Sequence, residues 1–273
     1  QDCTPCTSDS SLRLAPMGWE LRLFLSLPVS PSSTTTAPAP PPVSLELCGG
    51  PQPLVASAPK ASELEARTDI YLEFGEEALG VKFRDVDEHG STHLLEVKLR
   101  GIVKKRGAEQ WKKVCSEPLH GASVLEAVRG AVPEVSVTAD GSQWVRLKKQ
   151  RWQQDMSGAV VEQTELEVAV GGEGREWQTL PRRYRTICFE GKKPDRCYEL
   201  LGNWLGLPED WERHDLEGAL AAHAAGVAQD GPGFVAPCLC GYPRFVSAVL
   251  ASAAPPPLCP DLDADPSPGP PPP

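Results

Sequence analysis

Apolar and charged residues alternate along several stretches of this chain. The period is two in Trp19-Glu20-Leu21-Arg22-Leu23, in Gly80-Val81-Lys82-Phe83-Arg84 and in Leu95-Glu96-Val97-Lys98-Leu99-Arg100. That is the period of a β-strand, whose successive side chains point to opposite faces. Lys82 and Arg84 therefore share one face, with Val81 and Phe83 on the other. Glu96, Lys98 and Arg100 likewise oppose Leu95, Val97 and Leu99. The same reading predicts strands over residues 19–27, 68–74, 79–85, 94–100, 109–114, 135–138, 143–153, 160–170 and 183–190. Turn residues separate them, among them His89-Gly90, Asp140-Gly141, Ser157-Gly158 and Gly171-Gly172. Helical spacing covers residues 122–129, 195–205, 209–228 and 242–251, the second with Cys197, Leu200, Leu201, Trp204 and Leu205 along it. Short, hairpin-like connections favour an antiparallel sheet over βαβ units. The expected fold is α+β: an antiparallel eight-stranded β-barrel, a tunnel, with a few peripheral helices.

Composition divides the 273 residues. Residues 28–61 are rich in Pro, Ser, Thr and Ala and read as a flexible insert, with a short strand expected at 43–47. Residues 253–273 read as a disordered Pro-rich tail and 1–16 as a disordered N-terminus, leaving a barrel domain over 17–252. The balance of 37 acidic against 27 basic residues, a formal charge of −10, argues against a general nucleic-acid surface. No apolar run approaches the ~20 residues that span a bilayer, so no membrane association is expected and a cytoplasmic location is. Among nine cysteines, the Cys3-x-x-Cys6 pair has no second pair and no histidine at ligand spacing to complete a zinc site. Reduced thiols of an intracellular protein are the plain reading.

The charged faces carry the candidate chemistry. Like charges crowded on one sheet face repel unless water or an anion intervenes. Residues 144–152 add Arg146, Lys148, Lys149 and Arg151 with no acid among them. On the strand 160–170, Glu165 and Glu167 share a face and Glu162 lies on the other. Inside a closed barrel, such strands would set a cationic wall against an acidic one. Lysine and arginine suit phosphate oxygens, and carboxylates suit a divalent cation with oxygen ligands. Together they would take a metal–polyphosphate. Each charged strand alone is equally well read as a solvated sheet face with ion pairs worth tenths of a kcal/mol.

The order of these motifs resembles the CYTH superfamily, the triphosphate tunnel metalloenzymes, which include thiamine triphosphatases. The resemblance covers about residues 17–205, with gaps. Arg67-Thr68-Asp69-Ile70-Tyr71 is similar to the family's Asp-Thr-Tyr-like strand and Lys82-Phe83-Arg84 to its Arg-x-Arg strand. Glu96-Val97-Lys98 is similar to its Thr-x-Lys strand, Lys149-Gln150-Arg151 to its Lys-x-Arg strand, and Ile187-Cys188-Phe189-Glu190 to its late acidic strand. The resemblance implies phosphate binding by Arg22, Lys82, Arg84, Lys98, Arg100, Lys149 and Arg151. It implies Mg²⁺ or Mn²⁺ held by Glu20, Glu165, Glu167 and Glu190, and metal-dependent hydrolysis of a triphosphate or polyphosphate compound. The family's Glu-x-Glu-x-Lys signature is incomplete, since Glu20 and Arg22 share the first strand's charged face without a second Glu, and Cys188 stands where a further acid is often found. A non-catalytic anion-binding module is therefore the alternative, and a scaffold whose Pro-rich segments bind partners is a third reading.

Overall fold

A computed structural model describes residues 18–27, 64–84, 94–118, 124–133, 143–156, 158–171, 176–224 and 234–253. Eight long strands are β1 (Trp19–Ser26), β2 (Glu65–Glu73), β3 (Leu79–Arg84), β4 (Leu94–Val103), β5 (Glu109–Pro118), β6 (Gln143–Asp155), β7 (Ala159–Gly171) and β8 (Gln178–Gly191). They run antiparallel in the order β5-β4-β3-β2-β6-β7-β8-β1, and β1 returns to β5 through Trp19↔Gln110 and Glu20↔Glu109, which closes the barrel. A two-residue strand β9 (Cys238–Leu239), absent from the pattern-based expectation, adds to β1. The helices are α1 (Val124–Ala131), α2 (Pro194–Leu205), α3 (Arg213–Ala224) and α4 (Tyr242–Ala253). The expected strand at 135–138, the short strand at 43–47, the insert and both terminal segments lie outside the described residues.

Alternation on these strands has an unusual sense. On an open antiparallel sheet the apolar face packs on the core and the charged face meets water. On β1 to β4 the apolar rows point outward and are covered by helices. Leu21, Leu23 and Leu25 of β1 are buried with Val161, Ile187 and Phe189 against Cys197, Leu200, Leu201 and Trp204 of α2 and Leu216 and Leu220 of α3. Those α2 residues follow the 3.6-residue spacing of the sequence. Pro194 opens that helix, and Gly206 ends it at φ 67°, where a Cβ would be strained. On the other side Val128 of α1 and the following Val132 cover Ile70, Leu72, Val81, Phe83, Leu95 and Val97. Each such side chain withdrawn from water contributes about 1.5–3 kcal/mol.

The charged rows of these strands consequently line the barrel interior. α4 fills one end of it. Phe245, Val246 and Val249 are buried among Phe24, Tyr71, Val145, Leu147, Leu166, Val168 and Tyr184. Phe245 stacks on Phe24 at 4.1 Å and meets Tyr184 edge-on at 5.0 Å. The interior is thus apolar at the α4 end and ionic beyond it. No helix among the described residues is long and apolar enough to cross a membrane.

Candidate functional site

Strand register decides which charges meet. Across β2, β3 and β4, Tyr71 faces Lys82 and Lys82 faces Glu96, while Gly80 faces Lys98. Across β6, β7 and β8, Gln153 faces Glu162 and Glu162 faces Cys188, while Val160 faces Glu190. β1 completes the ring with Glu20 opposite Glu190 and Arg22 opposite Cys188. These interior positions enclose a cavity with about 720 Å³ of atom-free space, open solvent at its mouth included. Six cations face it (Arg22, Arg67, Lys82, Arg84, Lys98 and Arg151) against four carboxylates (Glu20, Glu96, Glu162 and Glu190). Tyr71, Trp111, Gln153, Tyr242 and Pro243 supply the rest of the wall that the chemistry uses.

The charges form a nearly continuous alternating chain around the interior. Arg22 donates from Nε to Glu20 at 2.8 Å and from Nη1 to Glu162 at 2.9 Å and to the Thr186 hydroxyl at 3.0 Å. Glu162 also accepts from Arg151 and Gln153, each at 3.1 Å. Arg151 reaches on to Glu65, and Arg67 stands 3.5 Å from both Glu65 and Asp69. Asp69 Oδ2 accepts from Lys149 at 2.7 Å and from Lys82 at 3.2 Å. Lys82 lies 3.5 Å from Glu96, whose carboxylate also draws Arg84 (3.6 Å), Lys98 (3.8 Å) and Lys113 (2.9 Å). Below this chain, the Tyr242 ring supports Lys149 at 3.8 Å and Arg22 at 4.6 Å. Such cation–π contacts strengthen when desolvated.

Burial and neighbours set the titration of these groups in opposite directions. Burial would raise the Asp69 carboxyl, but Lys149, Lys82 and Arg67 outweigh it and hold it well below the usual carboxylate range. Glu162 is also raised by burial and pulled back by Arg22 and Arg151, to about 2. Burial pushes the Lys82 ammonium down to about 7 against the pull of Asp69, and Lys149 down to about 8. Burial pushes Glu190 up, with Glu20 and Glu162 adding to it as like charges and Lys98 opposing.

Of the residues expected from sequence, the structure brings Glu20, Arg22, Lys82, Arg84, Lys98, Arg151 and Glu190 to one cavity. Lys149 is buried behind it, engaged with Asp69 and the Tyr71 hydroxyl. Arg100 lies further along β4 and pairs with Glu109 at 3.2 Å. Two expectations are corrected. Glu165 and Glu167 are on the outer face of β7, paired with Arg185 at 2.7 Å and with Lys148 at 3.5 Å. Glu162, read from sequence as lying on the face away from the site, is the interior carboxylate of that strand. The reason is the tight β6–β7 turn. It sets Asp155 against Val160, so Arg151 faces Thr164 and Gln153 faces Glu162. Once Arg151 points inward, pairing parity sends residues 162 and 164 inward and 165 and 167 out.

Other interior residues escaped sequence reasoning. Arg67, Asp69 and Tyr71 belong to a quoted motif, and their two-residue spacing was the available signal. Tyr242 gave no signal, because a helix capping a barrel is fixed only by tertiary packing. Its position depends on Gly241, where a Cβ would come within 2.7 Å of the Trp111 ring and 2.8 Å of the Glu109 carboxylate. Among the described residues no group of three metal-ligating side chains stands at ligating spacing. Comparison with models of known protein families and with curated proteins finds no match to this chain.

Proposed function

We propose that this barrel binds the phosphate chain of a triphosphate or polyphosphate compound, as a divergent relative of the CYTH group. One observation carries the reading: six cations against four carboxylates face a single cavity inside a protein whose net charge is −10. An anion entering that cavity meets an excess of positive charge with donors on several strands. Arg84, Lys98, Arg67 and Arg151 are spread around the wall. An extended polyanion engages them together more fully than a compact one. The low effective dielectric of such a cavity strengthens each contact.

For a divalent cation, Glu20, Glu162 and Glu190 offer oxygen donors of suitable chemistry. As they stand they are not at ligating spacing, so Mg²⁺ or Mn²⁺, which when bound neutralises phosphate oxygens and supports hydrolysis, would have to draw them together. Arg22 spans Glu20 and Glu162. That pairing favours binding without cleavage as the second reading, since Arg22 already neutralises two of the three carboxylates.

Calorimetry with tripolyphosphate at fixed ionic strength, together with a phosphate-release assay across divalent metals, tests both. One-to-one binding is expected, weakened at least about tenfold, or ~1.4 kcal/mol, by Lys98→Ala. Failure to bind either tripolyphosphate or a nucleoside triphosphate overturns the proposal. Binding with no phosphate release under Mg²⁺ or Mn²⁺ ends the enzymatic form of it.

A further inference from the structure

The Glu96 carboxylate has surroundings that an ordinary ion pair does not explain. Its side chain is 0 % exposed, yet four cations from three strands converge on it. Lys82 and Arg84 come from β3, Lys98 from β4 and Lys113 from β5. Only Lys113, at 2.9 Å, stands at hydrogen-bonding distance, and Lys82, Arg84 and Lys98 at 3.5–3.8 Å hold the group by charge. Lys82 is shared with Asp69 at 3.2 Å, but Arg84, Lys98 and Lys113 all draw on the single charge of Glu96. Arg84, Lys98 and Lys113 keep 27 %, 35 % and 40 % of their side-chain surface exposed. Four convergent cations with spare donors are the surroundings of a bound phosphate, whose several oxygens accept more bonds than a carboxylate.

We infer that Glu96 is a built-in counter-anion: its carboxylate takes the place of a phosphate group among Lys82, Arg84, Lys98 and Lys113 and competes with incoming anions for them. The inference deepens the proposed function and rests on it only for the identity of the natural competitor. Its consequence is selectivity by ligand length. A single phosphate must contend with Glu96 using these four cations alone. A condensed phosphate also reaches Arg67 and Arg151 on the neighbouring wall, and those contacts offset the repulsion. The barrel thereby discriminates against orthophosphate and in favour of chains of phosphates. Glu96 also resolves the repulsion that the bare alternation of Lys82, Arg84 and Lys98 would create.

A purely positioning role for Glu96 makes the opposite prediction, because removing its charge would loosen the lysines and weaken anion binding. The experiment compares orthophosphate binding by the full chain and by Glu96→Gln, using calorimetry at constant ionic strength and the phosphate-induced shift in melting temperature. The expected result is binding at least about tenfold tighter in the variant, with a larger melting shift than wild type. Equal or weaker binding overturns the inference. If Glu96→Gln folds only when phosphate is present, that rescue supports it, because the anion then replaces the carboxylate. If it folds under neither condition, Glu96→Asp decides: withdrawing the carboxylate by one methylene should give an intermediate gain, and no gain overturns the inference. Tripolyphosphate binding by wild type is measured in parallel. Its absence alongside tighter orthophosphate binding by the variant would overturn the proposed function and leave the role of Glu96 standing.

Discussion

At the scale of single residues, the interior is governed by how few carboxylates hold many cations. Asp69 is the clearest case. It is fully buried, and its Oδ2 accepts from two buried lysines at 2.7 and 3.2 Å. Two ammonium groups so close repel each other, and that repulsion is supportable only while the carboxylate between them is ionised. Removing one partner of a buried ionic group costs about 3–5 kcal/mol, because the remaining charge cannot reach water. Asp69→Asn should therefore destabilise the fold by roughly 3–5 kcal/mol in urea denaturation. Adding Lys149→Met to that variant should recover part of the loss, since it removes one of the two stranded charges. A loss below about 1 kcal/mol for Asp69→Asn would mean that the lysines are neutral in the folded state. Asp69 and Glu96 differ in the accessibility of what surrounds them. The Lys149 side chain beside Asp69 is 1 % exposed, whereas Lys98 and Lys113 beside Glu96 keep over a third of their surface open. The first is thus a closed structural knot and the second an open one.

At the scale of elements, β9 and α4 set the shape of the interior. Cys240 N–H donates to the Arg22 carbonyl at 3.0 Å, which ties the approach to α4 directly to the strand bearing Arg22. From there α4 places Tyr242 under two cations and Phe245 between Phe24 and Tyr184. Phe245→Ala should open a void where the ring stacks and cost about 3–5 kcal/mol, read as a lowered denaturation midpoint. A cost under about 1 kcal/mol would show that α4 is only loosely docked on the barrel end. The element inventory was largely legible in the sequence, because alternation marks strands whatever covers them. Eight strands and four helices emerged near their observed limits for that reason. The sense of the alternation was not readable from any one strand, since an apolar row facing helices and an apolar row facing a sheet core look identical. Glu162 shows the same limit on a smaller scale. Its face depends on the β6–β7 pairing, which the strand's own sequence does not carry. β9 is too short to show a period, and the fit of α4 depends on residues far away in sequence.

For the molecule as a whole, ligand affinity and fold stability should respond to alkaline pH in opposite directions. Lys82 faces Asp69, Glu96, Arg84, Lys149 and the Tyr71 ring, and burial holds its folded pKa down at about 7, with Lys149 at about 8. In the unfolded chain both lysines titrate near 10.4. Between about pH 7 and 10 the unfolded state therefore binds more protons than the folded one, and stability from these two groups rises with pH. The acid limb has the other origin. Glu96 and Glu162, held at about 2, contribute stability that is full above roughly pH 4.5 and lost as pH falls toward 2. Burial alone would raise Glu96, and it is the lysines Lys82, Lys98 and Lys113 that reverse the direction. Anion binding follows the charge of the wall rather than the linkage of the fold. As Lys82 and then Lys149 lose their protons, the cavity's excess of positive charge shrinks and tripolyphosphate affinity should fall between pH 7 and 9. Parallel urea titrations over that range should show no matching loss of stability. Affinity that holds constant from pH 6 to 9 would mean that Lys82 keeps its proton and that the cavity's excess of positive charge is undiminished over that range. In Lys82→Met the pH dependence of binding should flatten while affinity at pH 6 drops at least about tenfold, which separates a titrating ligand-binding lysine from a structural one.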